Sequence, residues 1–200
     1  NSHFGADLPH VLQRAQSAAL ETIIITGSCA HSNIKAHQIA NTYPPGFLYS
    51  TAGLHPHHAA DWSPAFHEAQ RQHLAAPNVI AVGECGLDYF RMISPKADQQ
   101  QAFRAQLELA MTTQKPLFLH EREAHADFYA MLAEVRPNVS RAVVHCFTGN
   151  TAEILAYLAL DCHIGITGWL CDERRNTPLI AALRAAPRDV LLGRLMIETD

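Results

Sequence analysis

The sequence predicts an α/β fold built on parallel strands, a (β/α)8 TIM barrel in incomplete form. Short apolar, β-branched runs alternate with longer segments of helical periodicity, and no linker or low-complexity stretch interrupts them. Such alternation joins parallel strands through right-handed crossovers. No glycine-rich phosphate loop of the GxGxxG or GxxxxGK type occurs, which weighs against an open doubly wound sheet. Polar, chemically capable residues (His55, Glu84, His120, His145, Asp200) end strand after strand, as the C-terminal rim of a barrel requires.

The strand candidates, in order, are Thr22 to Thr26, Leu48 to Leu54, Val79 to Gly83, Leu117 to His120, Ala142 to His145, His163 to Ile166 and Leu195 to Thr199. Seven strands are one short of a closed eight-stranded barrel. Two helices have readable starts, because Ser63-Pro64 and Thr177-Pro178 each set a capping residue before proline. From Asp98 to Thr113, one helical face carries Phe103, Leu107, Ala110 and Met111. The next helix repeats this with Phe128, Met131, Leu132 and Val135. Both faces are expected to pack on the sheet.

With 200 residues, 48% apolar and 17% charged, the chain can bury one substantial core, and disordered or fibrous classes fit poorly. The net charge of −4 offers no global positive field, so a polyanionic partner must be attracted locally. Five cysteines without a CxxC pair argue against a disulfide framework and for a reducing compartment, with the cytoplasm expected. No apolar run reaches the ~18 residues of a membrane span. Of the 13 histidines, His10, His37, His58, His67 and His73 read as solvated.

The strand ends carry the chemistry. Leu48 to Leu54 delivers His55-Pro56-His57. Val79 to Gly83 delivers Glu84, followed by Cys85-Gly86-Leu87-Asp88. A carboxylate there is costly to bury unless paired or coordinated, and a salt bridge would satisfy it as well as a metal would. Leu117 to Leu119 delivers His120, with Arg122 and His125 beyond. Ala142 to Val144 delivers His145. Leu195 to Ile197 delivers Glu198-Thr199-Asp200, with Glu198 expected to face outward and Asp200 inward. Glu84, His120, His145 and Asp200 thus form an N/O donor set suited to Mg²⁺, Mn²⁺ or Zn²⁺. With a bridging carboxylate, such a set can hold two ions about 3.5 to 4 Å apart, the arrangement that clamps both oxygens of a phosphodiester displacement.

Six ordered segments resemble the TatD family of metal-dependent deoxyribonucleases. They are Ala52-Gly53-Leu54-His55-Pro56-His57, Gly83-Glu84-Cys85-Gly86-Leu87-Asp88, Pro116-Leu117-Phe118-Leu119-His120, His145-Cys146-Phe147-Thr148-Gly149, Ile166-Thr167-Gly168-Trp169 and Ile197-Glu198-Thr199-Asp200. The resemblance implies an amidohydrolase-like TIM barrel that hydrolyses DNA, single-stranded or at 3′ ends, as a 3′–5′ exonuclease in DNA repair or degradation. It implies that Glu84 bridges or binds the metals and that His120 and His145 are ligands. Asp200 would be a ligand that also orients or deprotonates the attacking water, and His55 would contact the scissile phosphate or assist proton transfer. Family members begin with a strand bearing two metal-site histidines one residue apart, which His3 does not match, and continue past the Asp200 motif into closing helices. Residues 1–200 are therefore expected to form one hydrolase domain holding strands two to eight.

On this reading His55 and Arg122 contact phosphate, Thr148 and Asp88 are further candidates at the site, and Trp169 and Tyr89 are candidates to stack a terminal base. Two rivals remain. One is a metal-dependent ester or lactone hydrolase on the same scaffold, disfavoured because relatives of that type often bridge their metals with a modified lysine where this chain has Glu84. The other is an inactive fragment that keeps the fold.

Overall fold

The computed structural model describes residues 7–199. The expectations for His3 and for Asp200, including the ligand and water-orienting roles of Asp200, fall outside them. Helix α1 (Leu8–Ser17) precedes β1 (Ile23–Ile25), α2 (Ala30–Ala40), β2 (Leu48–Ala52), α3 (Pro64–Leu74) and β3 (Val79–Asp88). There follow α4 (Lys96–Thr113), β4 (Leu117–Arg122), α5 (His125–Val135), β5 (Ala142–His145) and α6 (Thr151–Ala159). The last elements are β6 (His163–Ile166), α7 (Thr177–Ala185), α8 (Arg188–Leu192) and β7 (Leu195–Ile197).

All seven strands are parallel and stand in one sheet in chain order, from β1 to β7. Among the described residues β1 and β7 do not pair with each other, so the architecture is an incomplete TIM barrel. No helix among them is long and apolar enough to cross a membrane.

Every predicted run contains a strand, but β3 continues past its expected end at Gly83 to Asp88. The reason is a bulge. Between the pairs Val82↔Leu117 and Cys85↔Leu119, β3 spends one residue more than β4, which re-aims the side chains that follow. Glycine makes the bulge possible. Gly83 and Gly86 have φ of +145° and +147°, and a Cβ on either would overlap the carbonyl oxygen of Phe118 or of His120.

The core lies between the sheet and its helices. Phe103 of α4 and Phe128 of α5 stack at 5.3 Å, and Phe128 meets Tyr157 of α6 edge to face at 5.7 Å. Leu107, Ala110 and Leu132 are fully buried as the helical periodicity requires, with Met111 and Val135 at the margin. Burying each large side chain stabilises the fold by about 1.5 to 3 kcal/mol. Ser63 caps α3, its Oγ accepting from Phe66 N. Thr177 does not cap α7 as expected: it is the first helical residue, and Asn176 holds the cap position while donating its side-chain amide to Leu170 O.

Buried amide side chains extend the hydrogen bonding beyond the strand ends. Asn33 accepts from Gly53 N and donates to Gly53 O. Gln106 does the same for Leu54, at 2.7 and 3.1 Å, and Gln99 for Asp88, at 2.8 and 3.0 Å. Each copies a peptide group where the ladder stops, so the rim backbone stays paired although buried.

Gly86→Ala is expected to lower stability by about 3 kcal/mol, since it adds a positive-φ penalty to a clash with the β4 backbone. Urea denaturation checks this, and an unchanged midpoint contradicts the close approach of the two strands at Gly86.

Candidate metal centre

The C-terminal ends of the strands open into a cavity of about 610 Å³. Its lining includes His55, Glu84, His120, Arg122, His145 and Thr148, every predicted site residue that lies among the described ones. Asp88 and His57 line it too.

Three of these meet at one point. Glu84 Oε1 lies 3.1 Å from His120 Nδ1 and 3.5 Å from His55 Nε2, and the two imidazole nitrogens are 3.2 Å apart. One ligand atom from each of His55, Glu84 and His120 falls within 4.8 Å of the others, as donors around a single cation do. Glu84 lies within the bulge, which turns its side chain toward the two histidines, and its amide is fixed by donating to Gly27 O at 2.8 Å.

Charge alternates outward from this point. His120 Nε2 is 3.4 Å from Asp88 Oδ2, and the same oxygen is 2.6 Å from His57 Nε2. Asp88 is 1% exposed, and its other carboxylate oxygen accepts from Arg91 N. Burial alone would raise the Glu84 and Asp88 carboxyls. Hydrogen bonds from His120 to both, from His55 to Glu84, and from Arg91 N and His57 to Asp88 outweigh it and hold both well below the usual carboxylate range. Burial likewise lowers His120, but Asp88 and Glu84 prevail and push it up to about 9. His55 moves the other way: burial holds it below its usual value against the pull of Glu84.

His55 also has a defined tautomer. It caps the 3-10 turn Pro56–Asp61, with Nδ1 accepting from His57 N at 3.1 Å. The proton of the neutral ring is therefore on Nε2, so in this arrangement His55 joins the group as a hydrogen-bond donor at the cavity, while Glu84 and His120 are its members that would ligate a cation.

His145 follows in register, since His120 pairs with His145 across β4 and β5. Its ring stands against Phe118 at 4.7 Å, and its Nδ1 lies 2.9 Å from Glu198 Oε1. That contact corrects the outward placing of Glu198. The carboxylate turns into the site, accepts from Cys146 N at 2.6 Å and rests over Gly165, where a Cβ would overlap it. The reasons are plain: β7 ends at Ile197, and residues 198 and 200, two apart, share a strand phase rather than alternate. Such a carboxylate steadies an imidazole ligand and fixes which nitrogen keeps its lone pair.

Tyr89 is not available for stacking at the site. Its hydroxyl donates to Asp127 and accepts from Gln100, and Lys96 covers its ring. Trp169 does line the cavity, but the guanidinium groups of Arg122 and Arg175 lie over it. Among the supposedly solvated histidines, His10 and His58 are exposed, whereas His37, His67 and His73 are half-buried; His37 and His73 meet edge to face at 6.0 Å. Phe90, Arg175, Glu198 and the three amide clamps were not singled out for the site. Their roles depend on loop paths and helix positions that carry no local pattern.

Comparison with known proteins gives a consistent picture. The family model described as TatD related DNase matches residues 1–200. The chain is 48% identical over 203 residues to a protein of Edwardsiella piscicida named "3'-5' ssDNA/RNA exonuclease TatD", and 44% identical over 200 residues to one of the same name from Pantoea vagans. Both alignments cover the whole of this chain and 75% of the relative. Among solved structures, a TatD homologue from Escherichia coli superposes with a TM-score of 0.81 at 31% identity, covering 98% of this chain and 74% of that one. A TatD family hydrolase from Entamoeba histolytica gives 0.80 at 31% identity; there this chain is covered to 95% and spans 64% of the neighbour's length.

The donor set fits a divalent metal ion, and with His120 pushed up to about 9 by Asp88 and Glu84 such an ion has to compete with a proton. Uptake of Mn²⁺ at pH 7 is expected to release about one proton, with affinity rising roughly tenfold per pH unit until His120 has titrated. Calorimetry in buffers of different ionisation enthalpy measures this, and proton-independent binding contradicts it.

Proposed function

The chain belongs to the TatD-related DNase family, and on that premise we propose that residues 1–200 act as one hydrolase domain, a metal-dependent nuclease that cleaves the phosphodiester bonds of single-stranded DNA from the 3′ end. We place its work in DNA repair or degradation in the cytoplasm, a setting supported by five cysteines with no disulfide among the described residues. The observation that carries the reading is the convergence of Glu84 and His120 with His55 at the rim of the sheet.

Glu84, His120, His145 and Asp200 are the residues that would hold the metal, a mixed N/O set for two ions, magnesium or manganese before zinc. When bound, a divalent ion supplies positive charge to the phosphate and acidifies water at the site. The remaining work belongs to side chains. His55, neutral and protonated at Nε2, donates to a non-bridging oxygen of the scissile phosphate, where charge grows as the attack proceeds. Arg122 donates to the same group. Asp88 orients His120 and His57, at 3.4 and 2.6 Å, and Glu198 orients His145, at 2.9 Å. Asp200 positions the attacking water in line with the leaving 3′ oxygen. Thr148 offers a hydroxyl to the phosphate from the loop after β5.

Incubating the protein with end-labelled single-stranded DNA and Mg²⁺ or Mn²⁺ is expected to release mononucleotides, and EDTA to stop the release. Glu84→Ala should reduce the rate by roughly a hundredfold or more. Lactone turnover without nucleotide release would sink the proposal, and so would undiminished nuclease activity in the variant.

A further inference from the structure

Four side chains at the cavity mouth stand in an alternating stack. Arg122 Cζ lies 4.9 Å from the Phe90 ring centroid and 4.8 Å from that of Trp169, and Arg175 Cζ lies 3.7 Å from the Trp169 ring. They come from separate stretches of chain: the loop after β3, the end of β4, and the connection between β6 and α7. All four line the cavity that holds His55, Glu84 and His120.

The geometry assigns this stack as a subsite for the stretch of single-stranded polynucleotide at the scissile bond, in which Arg175 holds the backbone phosphate beside the scissile one that Arg122 reaches, and Phe90 takes a base. The assignment rests on the nuclease reading and deepens it. A guanidinium held by ring faces uses none of its five N–H donors for the hold, so it stays in place with its hydrogen-bonding capacity intact. Among the described residues, no carboxylate pairs with the Arg122 guanidinium, although it is half-buried. Arg175 spends its Nε on Asp172 at 2.6 Å, which anchors it and leaves its terminal nitrogens for a ligand. In a chain of net charge −4, these two cations beside the cluster supply the local positive field a polyanion needs.

Phe90 completes the assignment. It is 58% exposed, and Met92 and Ile93 beside it are exposed too. Open apolar surface at the mouth of a charged cavity suits a base, whichever base it is, because every base offers a π face. Trp169 cannot serve the same purpose without losing a cation from its ring. Its part is to space and hold the two arginines.

The test uses the intact protein with Mg²⁺ and two substrates: a cleavable single-stranded oligonucleotide for kinetics and its phosphorothioate counterpart for binding by anisotropy. Phe90→Ala and Arg175→Gln alter exposed side chains, and thermal midpoints confirm that both variants fold. Each is expected to raise KM for the oligonucleotide roughly fivefold to tenfold, with kcat within about twofold. Arg175→Gln should also flatten the slope of log affinity against log salt by about 0.7, the effect of one phosphate contact on a single strand. Arg122→Lys keeps the charge and loses the stack, so affinity should fall while the slope holds. Wild-type affinity and slope in Phe90→Ala and Arg175→Gln would overturn the assignment, as would a loss confined to kcat. A wild-type protein that binds the oligonucleotide without cleaving it refutes the nuclease reading alone, and the binding series still decides the subsite. One that neither binds nor cleaves refutes both.

Discussion

Burying a carboxylate at the end of a core strand sets the terms for everything around it. The Glu84 side chain is 14% exposed, and a charge so far removed from water must be matched by partners or be protonated. The chain matches it with imidazoles, and it matches their charge in turn with Asp88, which then engages His57. Removing one member of such a buried series leaves its neighbour uncompensated, at a cost of about 3 to 5 kcal/mol. The same arrangement makes the site ready for a cation, because the carboxylates that push His120 up would attract a divalent ion as well.

Holding that series in position is a backbone problem. Strand ends cannot be braced by the ladder, since the neighbouring strands stop as well. Asn33, Gln99 and Gln106 solve it by pairing with both the N–H and the C=O of Gly53, Asp88 and Leu54. Gln70 reinforces Gln106 by donating to its Oε1. These amides reach the rim from helices, so the placement of His55 and Asp88 is set by the helix layer as well as by the sheet.

Much of this was legible in the sequence. The seven runs, their order and the sheet-facing residues of α4 and α5 follow from periodicity, because burial imposes a repeat on every element that has one buried face. Histidines and a glutamate placed directly after apolar runs marked the strand ends as the place of chemistry. What could not be read lacks any period. The bulge in β3 shows only as two glycines, and the inward turn of Glu198 lies past the end of β7, where no strand period applies. Gln99 and Gln106 look like ordinary polar helix residues until the strand ends they serve are in place. Trp169 was correctly put at the cavity, yet its ring is already covered by arginines that arrive from other loops.

Because the strands stand in chain order, the site also has an order of assembly. Glu84 meets His120 across a separation of 36 residues, and His55 meets His120 across 65. The His55, Glu84 and His120 side chains therefore come from the ends of β2, β3 and β4, braced by Gly27 and Asn33 just before them, and the loop-closure entropy stays modest. Glu198 reaches back 52 residues to Cys146, so the support for His145 arrives last. During synthesis the half of the site built on Glu84 can form while the half built on His145 is still waiting for its carboxylate.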